Sequence, residues 1–119
     1  IIHSKKIIEG KTDDYSKARA IFDWFERNIT YDHASLKRAR GYRNARQVFE
    51  EKKGICGEMA FLFVVMAWYS GINSASYVSV RVDCFGKKVH HACASFFHKN
   101  KLILVDPAYS TFDVKHKKY

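Results

Sequence analysis

From Tyr15 to Asn28 the apolar residues Ala18, Ile21, Phe22 and Phe25 recur at spacings of three and four, and Ile29 continues the series. Lys17, Arg19, Asp23 and Glu26 take the other face. This is the pattern of an amphipathic helix, with Asp13-Asp14 as its cap and first-turn acids. A second, shorter helix is predicted from Ala45 to Glu51, capped by Asn44, with Val48 and Phe49 facing inward. Then the pattern changes. Met59 to Tyr69 holds no charge and no breaker, and it stops at Ser70-Gly71. That predicts one helix from about Cys56 to Ser70, apolar on every side and therefore central.

After Gly71 the period drops to two. Ser76–Asp83, Val89–Phe97 and Leu102–Asp106 alternate and are rich in valine and aromatics, so they read as strands. Cys84–Lys87 and His98–Lys101 are turns, the second with Asn100 suited to a positive φ. Pro107 ends the third strand, and Thr111–Val114 is a possible fourth before a basic tail. Ile1–Lys11 reads as a short lead and the basic stretch His33–Arg43 as an exposed loop. Helices followed by an antiparallel meander predict an α+β fold, with a central buried helix packed on the sheet.

The totals narrow the picture. At 119 residues the chain suits one domain, 1–119, with one modest core; it opens on Ile1, as an excised domain or a processed chain would. A hydrophobic share of 47% excludes a disordered chain. No apolar run nears the ~20 residues of a membrane span. The net charge of +9 attracts anionic surfaces, nucleic acid included, but no zinc finger, RNP motif or helix-turn-helix accompanies it. Cys56, Cys84 and Cys93 lack the spacing of a disulfide framework, which leans towards a reducing, cytoplasmic setting. The pattern implies no cofactor and leaves the oligomeric state open.

Chemistry enters at Lys53-Gly54-Ile55-Cys56-Gly57-Glu58. A cysteine at a helix start faces unpaired N–H groups and the positive end of the dipole, which favour its thiolate. On the second strand His91 and Cys93 share a face. If His98–Lys101 closes a simple hairpin, paired residue numbers sum to 199, which sets Cys93 opposite Asp106 and His91 diagonal to it. If that face packs over the start of the central helix, Cys56, His91 and Asp106 form a thiol–imidazole–carboxylate triad. A slip of one residue would break it and bring His90 forward as the base. Other arrangements compete. Cys84, Cys93, His90 and His91 offer zinc ligands at irregular spacing. A catalytically idle module could use the basic surface to hold an acidic partner or nucleic acid. The backbone N–H of Cys56 would be one oxyanion donor, and Gln47 is the nearest upstream amide for a second. Tyr31 and Asp32 are assigned structural roles, and Trp24 and Trp68 core positions.

The same residues carry a resemblance. The order Asn28-Ile29-Thr30-Tyr31-Asp32, then Gly54-Ile55-Cys56-Gly57-Glu58, then Ser70-Gly71-Ile72, His91-Ala92 and Val105-Asp106-Pro107 resembles the transglutaminase-like superfamily. The resemblance implies a papain-like α+β core that performs thiol acyl chemistry on a protein or peptide substrate. Carried over by motif, Cys56 is the nucleophile, His91 the base and Asp106 the orienting acid. Crosslinking transglutaminases, peptidases, amidases and deglycosylating enzymes share the superfamily, so the reaction stays open. Cys93 stands where the family often has tryptophan, which bears on the pocket wall.

Overall fold

A computed structural model describes residues 2–34 and 42–119. Lys37, Arg38 and Arg40 of the expected basic loop lie outside the described residues. The order of elements is α1 (Ile2–Ile7), α2 (Asp14–Asn28), β1 (Thr30–Tyr31), α3 (Ala45–Glu51), β2 (Lys53–Gly54) and α4 (Cys56–Tyr69). Four strands follow: β3 (Ser76–Val82), β4 (Lys88–His98), β5 (Lys101–Asp106) and β6 (Thr111–Phe112). The strands β3-β4-β5-β6 form one antiparallel meander, and β1 pairs with β2 in a separate parallel bridge. Mixed helix and antiparallel sheet is the α+β arrangement that the pattern implies.

Local chemistry explains the boundaries. The Asp13 carboxylate accepts from the Ser16 N–H at 2.7 Å, which starts α2. Asn44 and Gln47 cap α3 reciprocally, each side chain accepting from the other's backbone N–H. Gly71 takes φ +89° just past α4, a conformation open to glycine at little cost. Between β4 and β5 the two loop residues, Lys99 and Asn100, both have positive φ, which matches the twist of a tight hairpin. The pairs run Ala94 with Val105 to His98 with Lys101, the register that sums to 199.

The main core joins the helices to one face of the sheet. Ala18, Ile21 and Phe25 of α2, Val48 of α3 and Leu62, Phe63 and Met66 of α4 pack with Ala94, Phe96 and Val105. Val80, Cys93 and Leu104 form a smaller cluster on the other face. The body of α4 thus lies against the face opposite the one that carries His91 and Cys93. It is also less enclosed than its composition predicts: Phe61 is 44% and Trp68 50% exposed. Trp68 is therefore not a core residue; its indole N–H reaches past the helix end to the Ala75 carbonyl.

Three further features differ from expectation. Residues 2–7 of the lead form a helix, and Ile7 and Ile8 pack on the core. Arg43, placed in an exposed loop by its charge, is buried because carboxylates surround it: it pairs with Asp32, with Glu51 at 2.7 Å and with Glu58 at 3.0 Å. The basic tail returns to the sheet, and the N–H groups of Lys117 and Lys118 donate to the Val82 carbonyl.

Candidate active site

Cys56 is the first residue of α4, and its helix start is well braced. Glu58 accepts from the Ile55 N–H at 2.9 Å and from Arg43, so its charge is directed away from the thiol. The parallel bridge of β1 with β2 brings Tyr31 beside Gly54, two residues before the cysteine. Gly57 supplies space: a Cβ there would lie 2.7 Å from the Tyr42 hydroxyl and 3.0 Å from that of Tyr77. Any larger residue would displace one ring.

The cysteine meets the sheet edge-on. β4 continues beyond Ala94, where its pairing with β5 ends, and there the Ala92 N–H hydrogen-bonds the Cys56 sulfur. A backbone N–H points along the plane of a sheet, so the thiol approaches the strand's open edge and not its face. That is how His91, which shares a side with Val80 and Cys93, reaches a helix whose body packs on the other side. On its far edge β4 carries a bulge. Val80 pairs with His91 and Val82 with Lys88, so Val89 and His90 oppose Arg81 alone. His90 is left exposed.

His91 Nε2 lies 2.7 Å from Asp106 Oδ2. With Nε2 so engaged, Nδ1 is the nitrogen left for Cys56. Burial alone would raise the Cys56 pKa, but hydrogen bonding to His91 and to the Ala92 N–H outweighs it, and the pKa falls below the ordinary thiol value. Burial would likewise depress His91; hydrogen bonds to Asp106 and Cys56 reverse this and push it up to about 9. Cys93 behaves oppositely. Burial without a cation raises its pKa far above the ordinary value.

Asp106 is 1% exposed and doubly tethered. Its Oδ1 accepts from the Tyr109 N–H at 3.1 Å, while Oδ2 also lies 2.7 Å from Nε2 of His116. The Tyr109 ring covers His91 at 4.5 Å between centroids and is held by a 2.7 Å hydrogen bond from its hydroxyl to Asp83. Sequence reasoning missed His116 and Tyr109. Neither sits at a helix start or in a strand, and only the three-dimensional path of the tail brings His116 in. Gln47 turns its amide oxygen to the Asn44 N–H as part of the α3 cap and is not among the residues lining the cavity beside Cys56. Among the described residues the group with metal-ligand potential is His91, Asp106 and His116, not the cysteine-containing set that the sequence suggests. Cys93 is shut into the smaller apolar cluster. A cavity of about 860 Å³ opens beside Cys56 and His91, with Tyr42, Tyr77 and His90 on its wall.

A comparison with curated protein sequences finds no significant match. Among solved structures, a candidate cysteine protease from Cytophaga hutchinsonii is 23% identical with a TM-score of 0.71, covering 90% of this chain and 36% of its own. LapG of Legionella pneumophila is 12% identical with a TM-score of 0.70, covering 96% of this chain and 70% of its own. A TGase is 20% identical with a TM-score of 0.59, covering 98% and 33%. The chain thus spans about a third of the length of the first and last of these, and the likeness is one of fold. A family model described as the transglutaminase-like superfamily matches residues 3–107. Matched over most of its length, the chain belongs to the transglutaminase-like superfamily.

Proposed function

We propose that the protein is a cysteine-dependent enzyme acting on peptide or carboxamide bonds, with Cys56 as nucleophile, His91 as base and acid, and Asp106 as the residue that orients His91. The observation that carries this reading is the 2.7 Å His91–Asp106 hydrogen bond beside a helix-start thiol of lowered pKa. The thiol proton passes to His91, and the thiolate attacks the carbonyl carbon. The C–N bond breaks as His91 returns the proton to the departing nitrogen, leaving a thioester on Cys56. Water, deprotonated by His91, attacks the thioester; the C–S bond breaks and a carboxylic acid leaves. An amine in place of water would give crosslinking.

Peptide-resolved alkylation across pH tests the reading, together with turnover of peptide and carboxamide substrates. Cys56 should react faster than Cys84 and Cys93 near neutral pH, and Cys56→Ala should abolish turnover while the fold survives. Equal reactivity of Cys56 and Cys93 would remove the basis of the proposal.

A further inference from the structure

We propose that His116 is a positioning residue of this site: it fixes Asp106 so that His91 keeps its Nδ1 free for Cys56. The proposal rests on the roles given above to Cys56, His91 and Asp106, and His116 lies beyond the residues that the family model matches.

His116 has no exposed side-chain surface, and its Nε2 shares one oxygen of Asp106 with Nε2 of His91. A carboxylate oxygen only accepts, so each ring must offer it an N–H. On His91 this leaves Nδ1 as the bare nitrogen, the tautomer able to take a proton from the thiol. On His116, Nδ1 is buried without a partner. An orphaned nitrogen is costly where a phenylalanine or leucine would fill the same space. The cost is understandable if the Nε2–H is needed. That bond and the one from the Tyr109 N–H to Oδ1 hold Asp106 by both of its oxygens.

The tail is built to present this ring. Upstream of His116 the Asp113 N–H donates to the Leu104 carbonyl at 2.8 Å, and downstream the Lys117 N–H donates to Val82 at 3.0 Å. The ring is therefore strapped across the end of β5 from two anchored points. Around it stand Asp106, His91 edge-on at 5.7 Å, Tyr109 at 5.4 Å and the nearby charge of Asp83.

The test uses His116→Phe, which keeps a ring but has no donor, and His116→Gln, which keeps an N–H. Thermal unfolding, the pH profile of Cys56 alkylation and ring-nitrogen NMR of His91 are measured on each. In the Phe variant alkylation at neutral pH should slow by about tenfold or more and its midpoint should move up. The Gln variant should recover most of the rate even where its stability matches that of the Phe variant. A Phe variant with the wild-type profile, or Phe and Gln variants with equal losses, overturns the positioning role. If the Phe variant does not fold, the wild-type spectrum decides: Nε2–H with a bare Nδ1 on His116 supports the proposal, and Nδ1–H overturns it. Ordinary reactivity of Cys56 in the wild type would instead defeat the enzymatic reading on which the proposal rests.

Discussion

Replacing Asp106 with asparagine removes one charge and almost no volume, and the surroundings allow no good orientation of the amide. Oδ2 is approached by two ring nitrogens at 2.7 Å and Oδ1 by the Tyr109 N–H at 3.1 Å. With the NH2 group towards the histidines, both rings would have to switch tautomer to accept from it, and His91 would then turn an N–H on Cys56. With it towards Tyr109, two donors face each other. Either state leaves a buried donor unmatched, at a cost of about 1–3 kcal/mol. The charge matters as well: His91 is raised from 6.5 to about 9 against the effect of burial, and Asp106 supplies one part of that support while Cys56 supplies the other. Without that support, and in the wrong tautomer, loss of general-base help should slow turnover by about 10²–10⁴-fold. The thiolate titration of Cys56, followed by alkylation, should move upward in parallel. The assay pairs both rates with chemical denaturation. Unchanged alkylation and turnover in a folded Asp106→Asn protein would refute the reasoning.

Three further outcomes follow from the geometry. His91 is raised from 6.5 to about 9 on folding, so its contribution to stability is complete below about 6.5 and disappears as pH climbs through 9; the stability gap between wild type and His91→Gln should shrink over that window in denaturant titrations, and a gap that widens would contradict it. Arg43→Met leaves the buried carboxylates of Asp32 and Glu58 without this cation and should cost about 3–5 kcal/mol, partly regained on acidification, as followed by thermal unfolding at several pH values. Tyr109→Phe loses the hydroxyl bond to Asp83 but keeps the ring over His91, so stability should fall by about 1–3 kcal/mol while turnover drops far less than in Asp106→Asn.

What the sequence disclosed was periodic or local. The α2 stripe, the uncharged run of α4 and the two-residue hairpin at Lys99-Asn100 each follow from rules acting over a few residues. Hairpin arithmetic therefore sufficed to set His91 near Asp106. The face that carries His91 meets only the start of the helix, at Cys56, while the body of α4 packs on the other side; the open edge of β4 at Ala92 brings the thiol in. Hidden from pattern reading were contacts between distant segments. Arg43 looks like a solvent residue until three carboxylates from α3, α4 and the end of β1 converge on it. His116 looks like part of a basic tail, and Trp68 like core. Charge and hydropathy describe a residue's cost of burial, not the partners that a fold supplies to offset it.

The bulge opposite Arg81 bears on how this lineage can vary. Upstream of it, towards the Cys84–Lys87 turn, the strands keep one register, and from Val80 with His91 onward they keep another. A residue gained or lost in that turn can be absorbed where the ladder is already interrupted, without rotating His91 to the opposite side. No such buffer stands between His91 and the tight Lys99-Asn100 turn, because pairing from Ala94 to His98 is unbroken. Relatives should therefore differ freely in length at the first hairpin and hardly at all at the second.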